Sequence, residues 1–117
     1  IKYFYEDIFS FKWPENYFDV IVIRGAIEHF TQDQQHKIFK KAYGLLKPGG
    51  YFCGDTPAAF DREDKMLSSH EYEWQDEAQM TEELSSIFKN IDTKTFISKE
   101  PIDRKTLRKT LLWSCKK

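Results

Sequence analysis

The hydrophobic pattern is clearest in an unbroken run of β-branched residues, Val20-Ile21-Val22-Ile23. A run without polar alternation is typical of a strand that is covered on both faces, as in a parallel sheet. Residues 1–6 are also rich in β-forming side chains, and the turn Pro14-Glu15-Asn16 separates them from this run. The pattern therefore predicts one strand over residues 1–6 and a central strand over residues 20–23.

A helix is predicted shortly after the central strand. Thr31 and Gln34 fit a capping box, in which both side chains satisfy backbone amides at a helix start. Apolar residues then recur at helical spacing as far as Leu46, and Pro48-Gly49-Gly50 is expected to end the helix. The segment Tyr51 to Gly54 follows too soon for anything except a second parallel strand. These elements together predict a β-α-β unit with a right-handed crossover.

The carboxyl-terminal half predicts a short helix followed by two strands. Thr81 fits an N-cap, and it precedes two glutamates and apolar residues at helical spacing up to Phe88. The segments from Ile91 to Ser98 and from Thr110 to Cys115 are rich in β-forming residues, and a charged connection without a helical pattern lies between them. Strands joined in this way favour an antiparallel pair.

Four motifs in this order resemble the second half of the class I S-adenosylmethionine-dependent methyltransferases, most closely the type 11 and type 12 members that act on small molecules. The motifs are Phe18-Asp19-Val20-Ile21, Glu28-His29, Leu45-Leu46-Lys47-Pro48-Gly49-Gly50 and Asp55-Thr56-Pro57. The resemblance implies an α/β fold with a Rossmann-like sheet that is closed by a carboxyl-terminal antiparallel strand pair. It also implies an incomplete sheet, with residues 1–6 as the third strand of the family and residues 1–117 as the carboxyl-terminal portion of a single domain. The first two strands and the glycine-rich loop of the family have no counterpart in the sequence.

The resemblance implies S-adenosyl-L-methionine as the cofactor and gives five residues a part in binding it. Asp7 matches the position that accepts a hydrogen bond from the adenine amino group, and the backbone amide of Ile8 would meet the ring. The backbone of Arg24 and Gly25 would face the methionine portion, with Ile27 near the adenine or the sulfonium. Two ordinary roles stay open, since Asp7 fits a turn cap and Gly25 fits an unusual turn dihedral angle.

Candidate catalytic residues lie at the carboxyl end of the central strand, where open α/β sheets bind ligands. Glu28 and His29 form the one titratable pair at this edge, so either could act as a general base for an acceptor hydroxyl or amine. Alternatively, the histidine orients a loop and the reaction depends on alignment of the nucleophile.

Acceptor recognition is the role that the resemblance suggests for His70, Tyr72 and Trp74, because the two aromatic side chains offer an apolar face with polar tips. Packing of these aromatic residues against the next helix is an equally good interpretation. His29, His36 and His70 are widely separated in sequence, and no metal site is predicted from them.

Composition adds limits rather than a further function. The formal charge of −1 and the pI near 6.3 give no reason to expect nucleic acid as a partner. Cys53 and Cys115 lie on separate predicted strands and are expected to be reduced core thiols. No apolar stretch has the length of a membrane span, and no signal-peptide pattern is present. The protein is therefore expected to be cytoplasmic and to have no membrane partner.

The sequence thus predicts methyl transfer from S-adenosylmethionine to a small-molecule acceptor, performed by a longer enzyme of which these residues are an inactive part. A non-catalytic Rossmann-like binding or assembly module is the alternative, and a glycine-rich loop encoded upstream would discriminate between the two. A nicotinamide-dependent oxidoreductase fits the final strand pair less well. Since two strands of the family are missing, the edge of the central strand would be exposed, and a homodimer through that edge is one arrangement that follows.

Overall fold

The computed structural model describes residues 1–58, 70–99, 103–105 and 107–117. The described residues form strands β1 (Phe18–Arg24), β2 (Leu46–Ala58), β3 (Lys89–Lys99) and β4 (Leu107–Lys116), helices α1 (Gln32–Leu45) and α2 (Glu77–Ser85), and a short 3-10 helix at Ile27–His29. Strand order in the sheet is β1-β2-β4-β3, with β1 parallel to β2 and β4 antiparallel to both of its neighbours. This arrangement confirms the α/β class, the β-α-β unit and the antiparallel closure. Neither helix has the length and apolar character needed to cross a membrane.

The capping box of α1 is confirmed, but the predicted end of the helix is wrong. Gln34 N donates to Thr31 Oγ1 at 3.3 Å, and Thr31 N donates to Gln34 Oε1 at 3.0 Å. Helix α1 ends at Leu45, and Leu46 already begins β2. Pro48-Gly49-Gly50 instead interrupts the pairing of β2 with β1. A Cβ at Gly50 would lie 2.9 Å from the backbone oxygen of Asp19, so this close approach requires glycine.

The hydrophobic core lies on one face of the sheet. It contains Ile38, Phe39 and Ala42 of α1, Met80 and Leu84 of α2, and Phe52, Leu111, Trp113 and Cys115 of the strands. Cys115 is a buried thiol of the core, as the sequence predicts, whereas Cys53 is half-buried and lies outside the core; neither is part of a disulfide among the described residues. Both helices therefore pack on the same side.

Strand β1 is exposed on one face and along one edge in the described residues, which is the arrangement that the sequence analysis predicted for a sheet without the first two strands of the family. The side chains of Ile21 and Ile23 pack toward the core, whereas Val20 is 52% exposed and Val22 is 59% exposed. Strand β1 pairs with β2 along one edge only and lies at the end of the described sheet. The apolar run thus reflects a strand whose second face and outer edge have no partner among the described residues.

Two predicted element boundaries also need correction. Residues 1–6 form no strand, because none of the described strands pairs with them and their side chains are exposed. Helix α2 begins at Glu77 rather than after Thr81, and its N-cap is Asp76, whose Oδ1 accepts from Gln79 N at 2.8 Å. Aspartate is a stronger N-cap than threonine, so the helix starts one turn earlier.

Candidate active site

The carboxyl ends of β1 and β2 are joined through Asp55. Arg24 Nε donates to Asp55 Oδ2 at 2.6 Å, and Gly25 N donates to Asp55 Oδ1 at 3.1 Å. The hydrogen bond and charge of Asp55 raise the pKa of the Arg24 guanidinium above its usual value. Gly25 has a φ angle of +51°, a left-handed conformation that favours glycine. Arg24 and Gly25 therefore have a structural task in the turn after β1, which is the ordinary role that the sequence left open for Gly25.

Glu28 is a buried acid fixed from two directions. Thr56 Oγ1, at the end of β2, donates to Glu28 Oε2 at 2.8 Å. The backbone oxygen of Glu28 accepts from Glu71 N at 2.8 Å, which ties the 3-10 helix to the segment after residue 70. The other carboxylate oxygen of Glu28, Oε1, lies 3.8 Å from His29 Nε2. Glu28 and His29 are thus adjacent in space as well as in sequence, but only the histidine reaches the surface.

The structure brings His29 and His70 together, although the sequence suggested that the histidines were scattered. Their rings are nearly perpendicular, with centroids 4.9 Å apart. The side chain of His29 is 44% exposed and that of His70 is 5% exposed. His70 Nδ1 is hydrogen-bonded to Glu73 Oε1. The expectation of separate histidines is therefore wrong for this pair, because the chain returns to the same sheet edge after β2.

Tyr72 and Trp74 are held by one carboxylate of α2. Tyr72 Oη donates to Glu83 Oε1 at 2.9 Å, and Trp74 Nε1 donates to Glu83 Oε2 at 3.1 Å. Burial, together with the hydrogen bond to Glu83, raises the pKa of Tyr72 to about 12. The segment that carries His70 is consequently anchored to α2.

A second anchor is Gln35 of α1, which is buried. Its Nε2 lies 2.9 Å from the backbone oxygen of Ile27, 3.2 Å from that of Phe30 and 2.9 Å from that of Tyr72, so its two hydrogens are shared among three acceptors. The three acceptors belong to the 3-10 helix, the turn before α1 and the segment after residue 70. This one amide therefore holds together the parts of the chain that carry His29 and His70.

Trp74 and Ile27 lie in the core rather than on an open surface. Trp74 is 1% exposed, and its ring centroid lies 5.8 Å from that of Phe39 and 5.4 Å from that of Trp113. This position agrees with the packing interpretation of Trp74 that the sequence analysis gave beside acceptor recognition. Ile27 is also 1% exposed, so its side chain offers little surface to a ligand in this conformation.

Asp7 and Ile8 lie in the exposed amino-terminal segment. Asp7 Oδ1 accepts from Phe9 N at 2.8 Å and from Ser10 N at 3.1 Å, the geometry of a turn cap. The backbone oxygen of Ile8 accepts from Lys41 Nζ of α1 at 2.6 Å. The alternative turn role of Asp7 is therefore the one visible here, and its role toward adenine stays a prediction.

Sequence reasoning did not assign site roles to several residues that position the candidate site. They are Gln35, Asp55, Thr56, Glu73 and Glu83. Asp55 and Thr56 could have been found, because they end the strand next to β1 and ligands bind at such strand ends. Gln35 and Glu83 lie on helices in ordinary amphipathic patterns, so only the tertiary contacts identify them.

Comparison with known sequences relates this chain to one protein family. Residues 1–54 match the model of a family described as a methyltransferase domain. The phosphoethanolamine N-methyltransferase of Plasmodium falciparum (isolate 3D7) is 32% identical over 99 residues, which cover 83% of this chain and 37% of that protein. The chain thus spans little more than a third of the length of this curated relative.

Two solved structures illustrate the similarity of fold. The 1,6-didemethyltoxoflavin-N1-methyltransferase of Burkholderia thailandensis, solved with 1,6-didemethyltoxoflavin and S-adenosylhomocysteine, has a TM-score of 0.72 at 18% identity, over 94% of this chain and 48% of that chain. A (4+2)-cyclase has the same TM-score of 0.72 at 13% identity, over 96% of this chain and 54% of that chain. At these identities the likeness concerns the fold, and one fold can carry different reactions.

Proposed function

By sequence and by fold this chain belongs to the class I methyltransferases, and we propose that it takes part in methyl transfer from S-adenosylmethionine to a small-molecule acceptor. The observation that carries the proposal is the position of His29. It is a half-exposed base at the carboxyl end of β1, within the residues that match the methyltransferase-domain model. Ligands of open α/β sheets bind at this edge, so an acceptor held there would meet His29.

In the proposed reaction a lone pair on an acceptor oxygen or nitrogen attacks the methyl carbon of the sulfonium. The carbon–sulfur bond breaks, sulfur keeps the electron pair, and S-adenosylhomocysteine leaves. The imidazole of His29 takes the proton that the acceptor loses. Glu28 Oε1 lies 3.8 Å from His29 Nε2, so the carboxylate that Thr56 fixes would stabilise the imidazolium once His29 has taken the proton.

We infer that the cofactor lies against the turn after β1. The backbone of Arg24 and Gly25 would meet its methionine portion, with Ile27 behind them, and Asp7 and Ile8 would receive the adenine. Acceptor contacts are proposed for His70 and Tyr72, whereas Trp74 would support them from the core, because its ring is buried. Asp7 would have to exchange its present turn hydrogen bonds for one from adenine.

We propose further that residues 1–117 are the carboxyl-terminal portion of a single methyltransferase domain. In the part of the chain that the structure describes, no strand pairs with the outer edge of β1, and Val20 and Val22 are exposed; both observations support this, since a complete domain covers such surfaces. A groove of about 320 Å³ borders the same strand. The 117 residues alone would then bind S-adenosylmethionine poorly and could pair through β1 with a second copy.

Kinetics of the full-length gene product test the role of His29. The variant His29→Ala should lower kcat by roughly 10²- to 10⁴-fold, the usual contribution of a general base, with little change in cofactor affinity measured by calorimetry. His36→Ala, which removes a histidine from α1 outside the candidate site, should leave both quantities unchanged.

Two results would count against the proposal. A His29→Ala variant with wild-type kcat would show that His29 is not the general base and that the reaction depends on alignment of the nucleophile alone. A folded full-length protein that binds no S-adenosylmethionine would favour the non-catalytic module.

A further inference from the structure

We propose that Glu28, His29 and His70 form a binding site for a divalent transition-metal ion. Each of the three residues offers one ligand atom, and these atoms all lie within 4.8 Å of one another. Two imidazoles and a carboxylate are the donor set that such ions prefer. The residues come from two separate parts of the chain, so the fold has assembled the group.

The spacing of the donors is close to what a metal requires. Bonds of about 2.0 to 2.1 Å to nitrogen and oxygen place neighbouring tetrahedral ligand atoms roughly 3.4 Å apart. Glu28 Oε1 and His29 Nε2 are already 3.8 Å apart. The widest separation is at most 4.8 Å, so it needs to close by about 1.4 Å at most.

Two of the three ligands are oriented by neighbouring polar groups. His70 Nδ1 is bonded to Glu73, whose side chain is also buried, and a proton on Nδ1 leaves the lone pair on Nε2 for a metal. In metal-binding histidines, the N–H of the second ring nitrogen commonly donates a hydrogen bond to a carboxylate in this way. Thr56 bonds Glu28 Oε2 and leaves Oε1 directed to the histidines. Apolar packing alone would require neither the hydrogen bond between His70 and Glu73 nor the one between Thr56 and Glu28.

The surroundings of Glu28 also favour a bound cation. Among the described residues, its buried side chain accepts a hydrogen bond from the neutral hydroxyl of Thr56, and His29 Nε2 lies 3.8 Å from its Oε1, beyond hydrogen-bond distance. Buried carboxylates are usually paired with a cation or coordinate a metal, because an uncompensated charge is costly to desolvate. A divalent ion between Glu28, His29 and His70 would balance this charge.

Three protein ligands leave at least one coordination position free, as in catalytic zinc sites. Water or an oxygen-bearing acceptor could occupy that position, and with the ion bound a metal-held hydroxide would take the acceptor proton in place of His29, whose lone pair the ion then holds. The last point rests on the proposed function, whereas the metal site itself does not. The donor set suits Zn²⁺, Co²⁺, Fe²⁺ or Mn²⁺ better than Mg²⁺ or Ca²⁺, which prefer all-oxygen ligands.

Metal binding can be measured on the full-length gene product without cofactor or acceptor. Chelator-treated protein is titrated with Co²⁺, followed by visible absorption, and with Zn²⁺, followed by calorimetry. We expect one ion per chain with a dissociation constant of about 1 μM or below. His70→Ala should weaken binding by at least about 100-fold, and Glu73→Gln by roughly 10- to 100-fold, because Glu73 only orients the ligand.

Control variants separate this site from other donors. His36→Ala and Cys53→Ser should bind both ions as the wild type does, and circular dichroism verifies that every variant is folded. If Glu28→Ala does not fold, Glu28→Gln tests the same ligand. Absence of Co²⁺ bands and of Zn²⁺ heat, or binding that His70→Ala leaves unchanged, would overturn the proposal. Since neither S-adenosylmethionine nor methyl transfer enters the measurement, its failure is distinct from failure of the proposed function.

Discussion

Tyr72 shows how one residue can couple the candidate site to the stability of the fold. Its hydroxyl donates to Glu83 at 2.9 Å and accepts from Gln79 Nε2 at 2.6 Å and from Gln32 Nε2 at 3.1 Å. Burial and the neighbouring carboxylate favour the neutral phenol and raise the pKa of Tyr72 to about 12. An unfolded tyrosine ionises near about 10, so the folded state holds this proton more tightly.

The pKa of Tyr72 predicts a specific loss of stability in alkali. The contribution of the neutral phenol to the free energy of unfolding is fully present below about pH 10 and is lost as the pH rises toward 12. Tyr72→Phe should be less stable at pH 8, because it lacks the hydrogen bonds, but should show a shallower decline between pH 10 and 12. Urea unfolding at several pH values measures both effects.

Tyr5→Phe is the matched control, since Tyr5 is fully exposed, and it should decline as the wild type does. Equal slopes for Tyr72→Phe and wild type would contradict the assigned origin of the shift.

Among the elements, α1 does more than cover the sheet. Its Thr31 capping box sets the register of the helix, and this register directs Gln35 inward. The Gln35 amide then holds three backbone oxygens that belong to the two chain segments of the candidate site. Hydrogen bonds to buried acceptors matter mainly through the cost of leaving those acceptors unpaired. The helix therefore fixes the distance between His29 and His70.

Gln35→Met should loosen this part of the chain while nearly preserving side-chain volume. We expect a loss of about 1 to 3 kcal/mol in the free energy of unfolding, the range for buried groups left without a partner. The amides of Glu71 and Tyr72, which donate to the Glu28 backbone oxygen, should exchange with solvent faster. Denaturant unfolding and hydrogen exchange followed by NMR report the two effects.

Lys37→Met serves as the control, because Lys37 is exposed on the same helix. If both variants exchange at the same rate at Glu71 and Tyr72, Gln35 does not position this segment.

At the scale of the whole molecule, the described residues are asymmetric, with one face of the sheet packed and the other open to them. Both helices cover the face that contains Phe52 and Trp113, while Val20, Val22 and Leu112 remain exposed on the opposite face. The groove beside β1 is apolar; its lining includes Ile8, Phe11, Trp13, Val20, Ile23 and Ile38. An apolar strand with an unpaired edge is prone to pair with another chain.

The isolated 117-residue chain should consequently self-associate through β1. Val22→Lys should reduce this association, because it places a charge beside the unpaired edge, a device that natural edge strands use. Size-exclusion chromatography with light scattering over a range of concentrations gives the oligomeric state. Tyr5→Lys adds the same charge at an exposed position outside the sheet and should leave association unchanged. A wild-type chain that stays monomeric at high concentration would contradict the prediction.

Local sequence was sufficient for the elements whose signals are contained within a few residues. The capping box at Thr31, the β-α-β unit and the antiparallel pair of β3 and β4 all follow from side-chain periodicity and short connections. Glu28 and His29 could be selected because they follow the carboxyl end of β1, and ligands of open α/β sheets bind at such strand ends. These elements can be predicted from local sequence because the backbone conformation at each of their residues depends mainly on its immediate neighbours.

Other features depended on contacts between distant parts of the chain. The β-forming residues 1–6 have no partner strand in the described structure. The approach of His70 to His29 and the burial of Trp74 likewise arise from packing at the sheet edge. Sequence determined where strands and helices could form and which residues carried reactive groups. Only the tertiary structure decided which groups meet, because hydrogen bonds and burial join residues without regard to their separation along the chain.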